Sequence, residues 1–271
     1  MSSHLFLYCL QFIKSIANQR QLIGSLAKRE VKTLYVGSLL GIFWAFIHPL
    51  IMISVFWFIF SVGFRVKPLG DVPFVVWLTA GMAPWFYFSD IIVGSASSVI
   101  THANLVKKTL FPSEILPVIK VTSSFVSHSF FLLILLLLLF FQEIPFSLFF
   151  FQGVYYLFCL WALSLGIGLI LAPLNVFIRD ISHLVNVLIQ IGFWATPIFW
   201  DINMMPVVIQ KLLKLNPVYY VVQGYRDSFI YGIPFWHHPA QTFYFWLVTT
   251  VIFISGTMIF LKLKPQFADV L

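Results

Sequence analysis

Long charge-free apolar runs, separated by short polar or basic segments, set the pattern of this chain. A helix needs about 20 apolar residues to cross a hydrocarbon core about 30 Å thick. Six stretches are read as spans, at about residues 39–62, 74–99, 115–141, 146–174, 183–200 and 242–263. Glu143 and Pro145 leave only a tight turn between the third and fourth. Barrel strands alternate every second residue and are only about ten residues long, so the runs specify helices. The predicted fold class is an all-α polytopic membrane protein with six transmembrane helices, an amphipathic N-terminal interface helix and re-entrant external helices between spans five and six. One transmembrane domain occupies residues 1–271: an interface segment (1–38), the six-span bundle (39–263) and, within it, an external segment (201–241).

The connecting segments refine this picture. Leu5, Cys9, Phe12, Ile13 and Ile16 recur at helical spacing, with Lys14, Ser15 and Asn18 on other faces, so a helix lying on the inner membrane surface is expected. This segment lacks a basic start and a small-residue cleavage site, and is not read as a secretory signal. Residues 101–117 are a polar interruption in which Pro112 and Pro117 limit helix continuation, leaving a short helix that ends near Leu110. Residues 201–234 are too apolar for a solvated loop. Pro217 and Gly224 divide them into pieces expected to dip into the outer leaflet and return. Gly37 and Gly41, spaced as Gly-x-x-x-Gly, and the Gly166 and Gly168 pair are expected at close helix contacts. Pro49, Pro84 and Pro197 are expected to kink their spans.

Composition agrees, since 61% of the 271 residues are hydrophobic and 9% charged. An ordinary soluble domain is about half apolar and a quarter charged. The net charge of +7 is read as topology rather than nucleic-acid binding, because the cations cluster beside span ends. Lys14, Arg20, Lys28, Arg29, Lys32, Lys107, Lys108, Lys120, Arg179, Lys262 and Lys264 flank one face, against Arg65, Lys67, Lys211, Lys214 and Arg226 on the other. Basic residues are retained inside, so both termini are expected in the cytoplasm. Cys9 and Cys159 fall at different depths and are not expected to pair.

Little in the sequence carries chemistry of its own. None of Lys14-Ser15, Lys32-Thr33 and Lys108-Thr109 follows a glycine, so no phosphate-binding loop is formed. The histidines give no i, i+4 pair, and a catalytic zinc is not expected. Asp90 is the one acid well inside a span and should face protein or water. A proton relay through it has only His48 and His128 to draw on. Aromatic residues make up 19% of the chain, with Trp44, Trp57, Trp85, Phe86, Tyr87 and Phe88 prominent. Some anchor the chain at the interface. Others, with Asp90, are candidates to line a path on which apolar sugar faces slide.

Leu26 to Lys32, Tyr35 to Trp44 with His48-Pro49-Leu50, Val72 to Trp77 with Ala80-Gly81, Asn175 to Asp180, Thr196-Pro197-Ile198, Leu215-Asn216-Pro217, Gly224 to Asp227 and Pro265 to Asp269 follow in a fixed order. In that order the chain resembles the permease subunit of type-two ABC exporters of O-antigen, capsular polysaccharide or teichoic acid, with His48 where that pattern has asparagine. The resemblance implies a second copy of the chain, two separate ATPase subunits that bind ATP and Mg, and an undecaprenyl-linked glycan or polyol phosphate moved outward. It implies that Asn104, Leu105, Val106, Lys107, Lys108, Thr109, Leu110 and Phe111 form the helix that couples to the ATPase, helped by Arg179 and Asp180. It also implies an external gate at Met204, Lys211, Lys214, Tyr219, Tyr220, Arg226 and Tyr231. Two rivals remain: an exporter of another lipid or amphiphile on the same fold, and a membrane enzyme acting on lipid-linked sugars.

Overall fold

The computed structural model of the chain describes Phe12 and residues 14–66, 72–108 and 111–271. Five helical stretches are long and apolar enough to cross a bilayer: Gly41–Gly63, Phe74–Thr101, Ser113–Phe141, Leu148–Phe177 and Pro239–Val270. In chain order the helices are α1 (Arg20–Tyr35), α2 (Trp44–Trp57), α3 (Phe74–Thr101), α4 (Ala103–Lys108), α5 (Leu116–Phe141), α6 (Gln152–Phe177), α7 (Asp180–Ala195), α8 (Val207–Leu213), α9 (Pro217–Arg226), α10 (Pro239–Leu263) and α11 (Phe267–Val270).

The fifth expected span differs from its reading. It is α7, 16 residues long, and at 1.5 Å per residue it reaches only about 24 Å. Its end is set by Pro197, which does not kink a helix but stops one, because the residue before a proline avoids the helical region. Thr196 is accordingly extended, with φ −82° and ψ 133°. Pro49 and Pro84 do lie inside α2 and α3.

α3 is the centre of the bundle. It is buried along most of its length and packs against α2, α5, α6, α7 and α9, while α10 lies against α6. Glycines permit two of these contacts. A Cβ on Gly168 would lie 3.0 Å from the Ser95 side chain, and one on Gly256 only 2.5 Å from the Gly166 carbonyl oxygen. Gly37 and Gly41 do not serve helix contact as expected. They take φ of +84° and +52° in the turn between α1 and α2, with nothing near their missing side chains. Here glycine is required by the left-handed backbone.

The N-terminal segment is amphipathic, but its apolar side rests on protein. Phe12, Ile23 and Ala27 are buried, and the Phe12 ring meets Phe253 edge-on at 5.8 Å. Lys14, Arg20, Lys28 and Arg29 are exposed. Leu5, Cys9 and Ile13 lie outside the described residues.

Glu114 ties this segment to both neighbours. It accepts a hydrogen bond from Ser15 at 3.2 Å and pairs with Lys264 at 2.6 Å. Phe267 stands 6.3 Å from Phe177. The N-terminal segment, residues 101–117, the α6–α7 junction and the C-terminus therefore share one end of the bundle, the basic end. Residues 142–151 and 196–238 occupy the far end.

Substitution should separate the two kinds of glycine. Gly256→Ala is expected to destabilise by roughly 1–3 kcal/mol, since backbone cannot move aside as a side chain does. Gly24→Ala, on an exposed helix face with nothing within 4 Å, should stabilise by about 0.5–1 kcal/mol. Thermal unfolding of the two variants in detergent checks both signs.

Candidate functional site

Three sites meet on α3. The first lies at the far end, where α7 stops. The buried carbonyls of the non-helical segment that follows α7 have no helical partner and must find donors within the protein. Arg226, at the end of α9, supplies them. Its guanidinium donates to the Pro197 oxygen at 2.8 Å and the Ile198 oxygen at 2.7 Å, and its carbon lies 3.4 Å above the Trp77 ring. The side chain is 2% exposed. Gly81 makes the room, because a Cβ there would fall 2.6 Å from the guanidinium. Asn216 completes the knot by donating to Thr196 at 3.1 Å while capping α9 through Val218 N–H.

Arg226 is thus not a solvated flanking charge: its guanidinium bonds backbone and ring, and with Lys214, Tyr219 and Tyr231 of the expected gate it lines a cleft at the far end. Tyr219 and Tyr220 are also buried, and Tyr220 bridges the hydroxyls of Tyr155 at 3.1 Å and Thr242 at 2.9 Å. Met204, Lys211, Lys214 and Tyr231 remain exposed. The two halves of this segment differ. α8 exposes Val207, Val208 and Leu212, whereas α9 buries Val218, Val221 and Val222.

A cleft of about 330 Å³ opens beside the knot, with Asp201, Lys214, Gln223 and His238 among its walls. At its side Asp227 accepts from the Gln223 amide at 2.9 Å and stands 4.0 Å from His238. Burial raises the Asp227 carboxyl above its usual pKa, opposed by the Gln223 hydrogen bond and the charges of His238 and Arg226.

The second site is the basic end. α4 follows α3 after the single residue His102 and packs on α11, which also touches α6. Asn104 and Lys107 are exposed, Val106 and Phe111 pack on the core, and Leu105 is half-buried. Arg179 and Asp180 are exposed at the start of α7. Asn175 fastens this corner. Its amide donates to the Ala96 oxygen on α3 at 2.9 Å and accepts from Ser182 N–H on α7 at 3.1 Å. The Lys108 side chain, Thr109 and Leu110 lie outside the described residues.

The third site is an aromatic cleft of about 370 Å³ between α1, α2, α3 and α5. It unites Trp44, Phe86, Tyr87 and Asp90 of the predicted path. It does not include Trp85 or Phe88, which are buried, with Trp85 packed on Phe193 at 6.1 Å. Trp57 is exposed near the far end of α2.

Asp90 has a partner that sequence reading missed. Lys120, treated as a flanking charge, is 8% exposed and binds Asp90 at 3.1 Å and Glu30 at 3.5 Å. The spacing held a hint, since Lys120 sits five residues into an apolar helix, where a lone ammonium is costly. His128 is enclosed, with Tyr225 hydroxyl at 3.0 Å and the Ala83 oxygen at 3.2 Å. Among the described residues no cluster of His, Cys, Asp or Glu is placed to hold a metal ion.

The family described as ABC-2 type transporter matches residues 21–230. The O-antigen export system permease protein RfbA of Klebsiella pneumoniae is 27% identical over 252 residues, 92% of this chain and 95% of its own length. RfbA of Myxococcus xanthus is 29% identical, covering 81% of this chain and 84% of its own. The capsule polysaccharide export inner-membrane protein CtrC of Neisseria meningitidis is 23% identical, covering 82% and 84%.

The Arg226 knot predicts its own failure. Arg226→Met removes the donors from two buried carbonyls, each costing about 1–3 kcal/mol. A lower melting temperature and a smaller yield of folded protein in detergent are expected, with Arg226→Lys intermediate because one ammonium cannot reproduce the planar fork.

Proposed function

The chain belongs to the ABC-2 type transporter family, and from that premise we propose that it is the channel subunit of an ATP-driven exporter that moves a lipid-linked polysaccharide out of the cytoplasm. The observation that carries this reading is the match to O-antigen and capsule export permeases along more than three-quarters of the chain and of each relative. The cargo is an undecaprenyl-linked glycan or a teichoic acid-like polyol phosphate, and the site is the bacterial cytoplasmic membrane. Two copies of the chain enclose the path, and two ATPase subunits, which bind ATP and Mg, supply the energy.

In this reading α7, completed by residues 196–200, is the fifth of six crossings, and α8 and α9 form the re-entrant outer gate. The basic end faces the cytoplasm, which the excess of Lys and Arg there supports. α4 rests on the ATPase. Its exposed Asn104 and Lys107, with the exposed Arg179 and Asp180, offer polar contacts at the same end of the bundle. A push on α4 passes to α3 through one intervening residue, and α3 carries Trp77 and Gly81 of the outer knot. The exposed apolar faces of the span Gly41–Gly63 and of α7, which include Phe58, Val62, Leu184, Leu188 and Ile191, support pairing with a second copy. At the gate Lys211 and Lys214 are placed to meet cargo phosphate.

Removing the chain from its host should leave lipid-linked glycan inside the cell and bare the surface. The double substitution of Lys107 and Lys108 by glutamate should lower surface glycan by about tenfold or more while the protein stays in the membrane fraction, because like charges at a docking surface repel. Surface glycan staining with parallel membrane fractionation measures both. Normal export from that variant counts against α4 as the coupling helix.

A further inference from the structure

The aromatic cleft lies at a particular depth. Asp90 is 16 residues from the far end of α3, about 24 Å, and Lys120 is 21 residues from the far end of α5, about 32 Å. The hydrocarbon core is about 30 Å thick, so the Asp90–Lys120 pair sits at the edge of that core, at the headgroup level of the basic end. The mouth faces outward. Leu34 is 63% and Trp44 43% exposed, and His48 beside them is exposed too.

The lining specifies a ligand class. Lys120 stands behind the carboxylates, with its side chain 9% exposed, whereas the Asp90 side chain is 46% exposed. An incoming group therefore meets the carboxylate and not the ammonium. Two carboxylates share this one lysine, which disfavours a phosphate. Ser124 lines the same cleft at 3% exposure, and its hydroxyl has no hydrogen-bond partner among the described residues. Trp44 and Phe86 offer apolar ring surface, and Tyr35, His48 and Ser127 add polar groups. The volume of about 370 Å³ is at the small end for ligand sites. Hydroxyl donors for Asp90, an unpaired hydroxyl for Ser124 and an apolar face for Trp44 describe an uncharged pyranose ring.

We propose that this cleft, one in each protomer, is a docking site at the inner headgroup level for an uncharged sugar ring of the lipid-linked cargo, separate from the path between protomers. It rests on the export reading above. The ring hydroxyls donate to Asp90, the ring face lies on Trp44, and the lipid tail stays in the bilayer beyond the exposed mouth.

The test uses the full chain in lipid nanodiscs and three photoreactive probes with one alkyl tail: a glucoside, a phosphate monoester and a trimethylammonium. Peptide mapping by mass spectrometry should place the glucoside on α2 and α3 around the cleft, with the phosphate weak. Trp44→Ala and Asp90→Asn should each lower that labelling about tenfold, the effect of losing one good contact. Trp44 is half-exposed, so its variant should keep the wild-type gel-filtration profile even if Asp90→Asn does not fold. Undiminished glucoside labelling in Trp44→Ala overturns the proposal, as does preferred labelling by the ammonium, which would mark a cationic headgroup site. Export of surface glycan by the wild-type chain is scored in parallel. Its absence sinks the export reading, whereas its presence without cleft labelling sinks only the docking site.

Discussion

A helix that ends at the edge of lipid leaves carbonyls with nothing to bind, and the far end of this protein is arranged around that constraint. α7 stops at Thr196 because Pro197 follows. The oxygens of Pro197 and Ile198, in the non-helical segment beyond it, are taken by Arg226, which packs against Trp77 and is admitted by Gly81. A buried guanidinium is costly alone, and here two carbonyls and a ring face share its charge. The result joins the end of α7, the second turn of α3 and the end of α9 into one unit. The apolar segment after α7 can then fold back on the bundle.

The opposite end solves a similar problem with neutral and charged groups. Asn175 uses both ends of its amide to hold α3 and α7 at the α6–α7 corner. Glu114 holds the N-terminal segment and the end of α10. Between them α3 passes through the whole bundle, touching the knot at Trp77, the aromatic cleft at Phe86 to Asp90, and the Asn175 corner at Ala96. One continuous helix thus carries a site at each end and one between.

The two charged cores differ in what they leave accessible. Arg226 is only 2% exposed and bonds backbone carbonyls, a structural clamp in the wall of the far-end cleft. Lys120 is also buried, but it leaves Asp90 facing a cleft with an unsatisfied serine hydroxyl. Burial of the cation and exposure of the anion are the asymmetry on which the proposed preference for hydroxyl donors over phosphate rests.

The sequence alone determined the helical class, the approximate limits of the five long spans and the membership of an export-permease family. Apolar run length is a local property, and lipid enforces it residue by residue. The motifs at 196–198, 215–217 and 224–227 were visible as separate signals, but their convergence was not. Arg226 and Trp77 are 149 residues apart, and nothing in the local pattern of either names the other. Lys120 and Arg226 looked like flanking charges because charge counting cannot tell a solvated cation from one buried in a pair. Gly37 and Gly41 looked like a helix contact because spacing does not report φ. Which charges are buried, where α7 ends and which aromatics share a cleft were decided only by tertiary structure, since each depends on groups brought together from distant parts of the chain.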